Sequence, residues 1–234
     1  NKETILNVLF PRHCPVCGEI VKPPGGLICP ACFHKLSFVK QPVCKKCGKE
    51  IQDAAEEFCG DCTKRRHAFE SGLALMIMMD GQEIHGLDQY KNKREYLDFY
   101  GAALAARYEK QIRRMHADVL VPVPVHPSRK RARGFNQAEV LPFAWESAWD
   151  PGGNTGMLIR IKKTKPQKEL SAADRLKNLS GAFRAGTIPE GIKTVLLVDD
   201  IYTTGSTVEA CARALRNAGV SRVYFVVICM TGGR

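Results

Sequence analysis

Residues 195–207 read Val-Leu-Leu-Val-Asp-Asp-Ile-Tyr-Thr-Thr-Gly-Ser-Thr. The apolar run Val195–Val198 has the length and β-branched content of a buried parallel strand. Asp199 and Asp200 follow it directly. Thr203, Thr204, Gly205, Ser206 and Thr207 then form a turn of small, hydroxyl-bearing residues around one glycine. Val208–Ala218 has helical spacing and stops at Gly219, a residue suited to a left-handed C-terminal position. Strand, acidic pair, small-residue loop and helix together make an anion cradle. The first N–H groups of the helix have no partner within it, and its dipole turns a positive end towards the loop. Carboxylates accept hydrogen bonds and donate none, so they suit sugar hydroxyls beside that cradle. A ribose carrying a 5′-phosphate satisfies both halves. The plainer alternative is a strand-to-helix turn capped by Thr and Ser, with two solvated acids.

Working outward, strands alternate with helices. Val119–Val125 (Val-Leu-Val-Pro-Val-Pro-Val) is a strand whose prolines mark its exit. Gly72–Met79 is apolar and predicts an edge strand or hairpin arm. Leu87–Ile112 has helical periodicity, with Leu97, Gly101, Leu104 and Tyr108 on one face. Val140–Trp149 reads as a helix, Leu158–Ile161 as a short strand, and Val195–Ile201 and Val223–Met230 as buried strands with a helix between them. This order predicts an α/β fold with a doubly wound, mainly parallel sheet, whose ligands sit at the carboxyl ends of the strands.

The N-terminal quarter differs. Cys14/Cys17, Cys29/Cys32, Cys44/Cys47 and Cys59/Cys62 are four C-x-x-C knuckles whose first cysteines recur every fifteen residues. Gly18 and Gly48 follow the first and third, where a metal-binding knuckle turns tightly. Four thiolate pairs match two tetrahedral four-cysteine zinc sites. Disulfides suit secreted chains and are disfavoured here. A thioredoxin-like role needs one such motif beside a βαβ unit. Equal spacing allows sequential pairing, first knuckle with second and third with fourth, or a cross-braced arrangement. Two tandem ribbons are the expectation. Cys211 and Cys229 stand apart and read as small buried hydrophobes. Structural zinc would supply the folding free energy of this cysteine-rich segment, which has few apolar runs. The division expected is a double zinc ribbon over residues 1–66 and an α/β domain over residues 67–234.

Composition narrows the partners. The formal net charge is +11 over 234 residues, and two four-thiolate zinc sites at −2 each would leave about +7. A basic balance suits polyanionic ligands, nucleic acid among them. The excess is clustered: Arg129, Lys130, Arg131 and Arg133 follow the 119–125 strand, and Arg160, Lys162, Lys163, Lys165 and Lys168 lie ahead of Arg175 and Lys177. Isolated clusters of this kind are usually solvated faces. A cluster at a strand exit, however, should share one cleft with the acidic pair. No apolar run is long enough to span a membrane. Asn1–Leu6 shows no signal-peptide core, so cytoplasm is the expected compartment.

The 195–207 stretch resembles the phosphoribosyl diphosphate (PRPP) loop of type I phosphoribosyltransferases. The resemblance extends along nearly the whole chain to the competence protein ComF family. It is carried by the four knuckles, Pro122 and Pro124, Arg131 with Arg133-Gly134-Phe135-Asn136-Gln137, Thr164 and Gln167, Arg175 with Asn178 and Gly181-Ala182-Phe183, and the loop itself. It implies a double zinc ribbon joined to a type I phosphoribosyltransferase domain. Asp199 and Asp200 would hold the ribose hydroxyls, and Thr203–Thr207 would wrap the 5′-phosphate. Arg131 and Arg133 would hold pyrophosphate. The Lys162–Arg175 segment, with Lys165, Gln167 and Arg175, would form a lid. Mg2+ would accompany PRPP. The family also implies DNA uptake in natural transformation, with single-stranded DNA and a DNA helicase as partners.

Three activities fit this pattern: transfer of the phosphoribosyl group to an unidentified acceptor, PRPP sensing without transfer, and a DNA-binding scaffold. Several purine-using relatives carry an acid inside the phosphate loop where this chain has Thr203, which leaves the acceptor open. Phe33, Phe38, Phe58, Phe69 and Tyr90 are candidate base-stacking residues and equally candidate core.

Overall fold

A computed structural model describes residues 11–78, 95–125, 156–162, 179 and 181–232. The predicted 140–149 helix lies outside them. So do Arg131, Arg133, Lys165, Gln167, Arg175 and Tyr90.

Four parallel strands form the main sheet. They are β1 (Gly72–Met78), β2 (Val119–Pro122), β5 (Thr194–Tyr202) and β6 (Arg222–Thr231), in the spatial order β1-β6-β5-β2. Every strand is apolar on both faces because both faces are covered. Val195, Leu197, Phe225 and Val227 pack with Val208, Cys211, Ala212 and Leu215 of helix α4 (Ser206–Asn217). Leu196, Val198, Val226 and Ile228 pack with Tyr96, Tyr100, Leu104 and Tyr108 of helix α3 (Glu95–Arg114) on the other face. Alternate residues of each strand thus serve opposite layers, which is the doubly wound arrangement. Cys211 and Cys229 are fully buried among apolar neighbours, as expected of small hydrophobes.

One strand departs from the expectation. The strand read as Leu158–Ile161 forms as β3 (Leu158–Arg160), but it leaves the main sheet and pairs antiparallel with β4 (Phe183–Ala185). This strand pair packs on α4, where Leu158 and Phe183 find apolar cover. β5, read as Val195–Ile201, forms over Thr194–Tyr202 and so outruns its apolar run by several residues. It continues through the acidic pair to Tyr202, because β6 supplies partners that far: Asp199 pairs with Val227, Ile201 with Cys229 and Tyr202 with Met230.

The two ribbons repeat each other at an offset of thirty residues. His13 bridges Ile20 and Val43 bridges Glu50. Cys14 N–H donates to the Glu19 carbonyl and Cys44 N–H to the Lys49 carbonyl, each at 2.7 Å. Gly18 and Gly48 take φ of 76° and 78°, which residues with a Cβ rarely adopt. Short helices α1 (Pro30–Phe33) and α2 (Gly60–Lys64) start immediately after Cys29 and Cys59.

The segment joining the ribbons extends the sheet. Phe38 bridges Met76 antiparallel, Ile77 N–H donates to the Ser37 carbonyl at 2.8 Å, and Val39 N–H to the Leu75 carbonyl at 3.0 Å. β1 is therefore an outer strand of the parallel sheet, but its free edge is covered. It runs parallel to β6 and so is not a hairpin arm.

Candidate functional site

Two kinds of site emerge. In the ribbons, the sulfur atoms of Cys14, Cys17, Cys29 and Cys32 lie within 4.8 Å of one another, as do those of Cys44, Cys47, Cys59 and Cys62. Pairing is therefore sequential, two tandem sites. A tetrahedral zinc with Zn–S near 2.3 Å requires S···S edges of about 3.8 Å, and Cys47 Sγ and Cys59 Sγ stand 3.6 Å apart. The Cys47 N–H points at Cys44 Sγ at 3.5 Å, as knuckle amides do. One thiol in each cluster, Cys14 and Cys44, is drawn below the usual thiol range. For Cys44, donation from the Cys47 and Cys62 thiols draws it far below the usual range. Burial opposes the same effect at Cys14, but hydrogen bonds from Cys29, Cys17 and Val16 bring it to about 7. Sets of four thiols with these edges and no competing donor fit Zn2+.

The second site lies where β5 meets α4. Asp199 and Asp200 are half-buried at the carboxyl end of the sheet, flanked by β6 on one side. On the other side the chain leaving β2 runs alongside, with the Val123 N–H donating to the Val198 carbonyl at 2.8 Å. The described chain beyond β2 therefore runs beside the acids, and Arg131 and Arg133 follow it in sequence outside the described residues. Asp199 accepts the Asp200 N–H at 2.9 Å, and Asp200 accepts the Ile201 N–H at 2.8 Å. Desolvation, and then the adjacent Asp200 charge, push the Asp199 carboxyl well above the usual carboxylate range. The Arg160 charge opposes this. Arg160 belongs to the 160–177 basic cluster, yet it is held here by β3, with its guanidinium 5.3 Å from the centre of the Phe183 ring.

The loop turns on Gly205. Its φ is +74°, and a Cβ there would lie 2.3 Å from the Tyr202 hydroxyl oxygen. Only glycine meets both conditions. Gly205 is the residue preceding α4, and its carbonyl accepts the Glu209 N–H at 2.8 Å. By helix geometry the N–H groups of Ser206, Thr207 and Val208 have no acceptor within the helix. The hydroxyls of Thr204 and Ser206 face each other at 2.7 Å. From the end of β6, the Thr231 hydroxyl holds the Thr203 carbonyl at 3.3 Å. The residues carrying these amides and the Thr204 and Ser206 hydroxyls line one small hollow, bounded by residues 201–208. The arrangement can take a tetrahedral anion at the amides and sugar hydroxyls at the carboxylates.

Sequence patterns missed three members of this region. Tyr202 stacks on Phe225, with centroids 5.1 Å apart, and braces Gly205. Glu209, in the first turns of α4, turns away from the loop and accepts from His67 Nδ1 at 3.2 Å and from the Ala68 N–H. Burial raises its pKa, but the hydrogen bonds from His67, Ala68 and Arg213 outweigh this and hold it below the usual range. Ser206-x-x-Glu209 has the form of a capping box. Since Gly205 is the cap, that signal would have pointed to the wrong partner. Among the candidate aromatics, Phe69 is fully buried between His67 and Phe225, and Phe33 and Phe58 are exposed.

Comparison with known proteins finds two domain types along the chain. The double zinc ribbon domain matches residues 5–63, and the phosphoribosyl transferase domain matches residues 141–234. Competence protein F of Haemophilus influenzae is 29% identical over 218 residues, which cover 90% of this chain and 92% of that protein. Competence protein ComFC of Bacillus subtilis is 27% identical over 205 residues, 84% of this chain and 80% of that one. The chain thus resembles competence proteins of the ComF type along most of its length. A further relative, the DNA utilization protein YhgH of Salmonella typhi, is 39% identical over 118 residues, about half of each chain. The chain carries two four-cysteine clusters that fit a double zinc ribbon, and a domain of phosphoribosyltransferase type. No helix among its described residues is long and apolar enough to cross a membrane.

Proposed function

We propose that this ComF-like protein binds PRPP with Mg2+ at the carboxyl end of β5 and acts in DNA uptake, handling single-stranded DNA beside a helicase. The observation that carries the ligand is the unbroken run from the acidic pair into a glycine-turned loop at the start of α4. Asp199 and Asp200 accept hydrogen bonds from the 2′- and 3′-hydroxyls of the ribose. The N–H groups of Ser206, Thr207 and Val208 and the hydroxyls of Thr204 and Ser206 hold the 5′-phosphate, with the helix dipole favouring its charge. Mg2+ would supply positive charge to the pyrophosphate and ribose oxygens. Arg131 and Arg133 serve the pyrophosphate, and Lys165, Gln167 and Arg175 belong to the segment that closes over it.

The DNA role draws on the printed names of the relatives, competence protein and DNA utilization protein, and on the basic excess of the chain. A cationic surface of this kind binds phosphate backbones without sequence preference. The intact ribose and phosphate elements also favour a second reading, transfer to an unidentified acceptor. PRPP sensing without transfer is its counterpart, suggested by Thr203 in place of a loop acid.

Calorimetry with PRPP and Mg2+ tests the ligand, with Asp200→Ala as the control. Binding to the wild type and weaker binding to the variant support the assignment. Equal binding by both removes the ribose role of Asp200. Pyrophosphate release that depends on an added acceptor selects the transferase over the sensor.

A further inference from the structure

The two zinc ribbons look alike in sequence but sit differently in the protein. The first forms a small cluster of its own from Cys14, Val21 and Cys32, with Val16 and Ile28 against it. It meets the opposite layer, through Arg12 with Asp98, His13 with Glu95, the Phe33 ring edge-on to Phe99, and Leu27 and Ile28 packed against the α3 side of the core. The second is continuous with the main core. Cys44 and Cys47 are buried in the same cluster as Phe69, Tyr202, Phe225, Val208 and Cys211, and Cys59 and Cys62 pack against it.

Two contact paths lead from the second ribbon to the start of α4. Along the first path, the tight turn at Gly48 lies against the Gly72 carbonyl, and a Cβ on Gly48 would come within 2.7 Å of that oxygen. Gly72 N–H donates to the Lys46 carbonyl at 2.9 Å. Gly72 in turn lies flat on the Phe225 ring, where a Cβ would reach 2.0 Å. Phe225 stacks on Tyr202, and Tyr202 presses on Gly205. The second path is polar. The linker leaving Cys62 brings His67 over Phe69, with ring centroids 4.6 Å apart, and His67 and the Ala68 N–H engage Glu209. The side chains of His67 and Glu209 are 8% and 9% exposed, so this pair is shielded from water, where such contacts are strongest. Removing one partner leaves the other buried without its hydrogen bond.

We propose that the second cysteine cluster, and not the first, holds the phosphate loop in its binding geometry, with Tyr202 and His67 as the positioning residues that connect them. The consequence for ligand affinity rests on the reading of residues 203–207 as a phosphate site. The mechanical coupling does not. Interior packing is dense enough that loosening one wall shifts the next. An anion site at a helix N-terminus depends on the aim of a few amides.

The test compares Cys62→Ser with Cys17→Ser in the full chain. Zinc content, amide hydrogen exchange across residues 203–209 and calorimetric affinity for ribose 5-phosphate are measured for each. Both variants should lose one zinc. Cys62→Ser should speed exchange at 203–209 and weaken ribose 5-phosphate binding, each by about tenfold or more, and Cys17→Ser should leave both within about twofold. His67→Ala cuts the polar path without touching a cysteine. It should keep both zincs and still speed exchange at 203–209. His67→Asn, which places an amide donor where Nδ1 lies, should restore slow exchange. Equal exchange in the two cysteine variants, or unchanged exchange in Cys62→Ser and His67→Ala, overturns the proposal. If Cys62→Ser does not fold, the His67 pair decides alone. If the wild type fails to bind ribose 5-phosphate, the phosphate reading fails, and exchange still decides the coupling.

Discussion

Replacing Gly205 by Ala separates backbone strain from steric collision at the loop. The backbone term arises because φ is +74°, and a residue with a Cβ in that region costs roughly 1–2 kcal/mol. The steric term arises because the new Cβ would lie 2.3 Å from the Tyr202 hydroxyl oxygen and 2.5 and 2.9 Å from ring carbons. Tyr202 is buried and stacked on Phe225, so it has little room to retreat. Forcing a methyl into such packing costs roughly 1–3 kcal/mol. The total of about 2–5 kcal/mol corresponds to a fall in Tm of about 4–20 °C in a chain of this size. Gly219, just beyond the other end of α4, is the internal control. Its φ is +99°, but nothing lies within 4 Å of a Cβ there. Gly219→Ala should therefore show the backbone term alone, about 1–2 kcal/mol. Tyr202→Phe removes the closest contact and should recover part of the loss in the double variant, since the ring carbons stay close. Differential scanning calorimetry of the four variants reads all of this. If Gly205→Ala is no more destabilising than Gly219→Ala, Tyr202 does not brace the loop.

The purified chain should carry two zinc ions, and chelation should release both and expose residues 14–62 to hydrogen exchange; one zinc by elemental analysis would contradict the tandem clusters. Asp199→Asn should raise the Tm of the ligand-free protein at neutral pH. The folded state raises the Asp199 pKa, so its stabilising contribution is complete below the unfolded value and is lost as pH climbs through the folded one. Above the unfolded value the raised carboxyl therefore works against folding, Asn removes that cost, and a lower Tm for the variant would refute this. PRPP with Mg2+ should raise the Tm of the wild type, and Asp200→Ala should reduce that shift; an unchanged shift would separate Asp200 from the ligand. Single-stranded DNA should bind with little sequence preference and a steep loss with salt, and replacing Arg129, Lys130, Arg131 and Arg133 by Ala should flatten the slope in a fluorescence titration; no binding at low salt would remove the DNA reading.

What could be read in the sequence was local. The strand, acidic pair, loop and helix at 195–218 are contiguous, so their order is their geometry. Apolar runs at 119–123, 195–198 and 223–230 announce strands buried on both faces, and the stripe through Leu97, Gly101, Leu104 and Tyr108 announces the face of α3. The thirty-residue repeat of the ribbons follows from cysteine spacing. Pairing did not, because equal intervals serve both arrangements until the chain is folded. Contacts between distant residues also left no trace. His67 and Glu209 are 142 positions apart, and each alone reads as a surface residue. Tyr202 sits next to the loop, but only β6, which carries Phe225, turns its ring beneath Gly205. The separation of β3 from the main sheet was hidden too, since a three-residue strand carries no sign of its partner.

The junction of ribbon and core explains why so cysteine-rich a segment is built into this domain rather than tethered to it. A parallel sheet ending at β1 would leave a row of unpaired backbone groups, which invites association with other chains. Residues 37–39 fill that edge, and they are held at both ends by a ribbon. A strand of three residues has too few contacts to stay in place alone, and the flanking four-cysteine clusters supply the missing restraint. The same attachment lays the second cluster against Phe225, two neighbours away from Gly205. Closing the edge of the sheet and bracing the phosphate loop are therefore consequences of a single packing arrangement. A change that loosens the 37–39 pairing with β1, such as Phe38→Asp, should for that reason disturb both the solubility of the protein and its hold on a phosphorylated ligand.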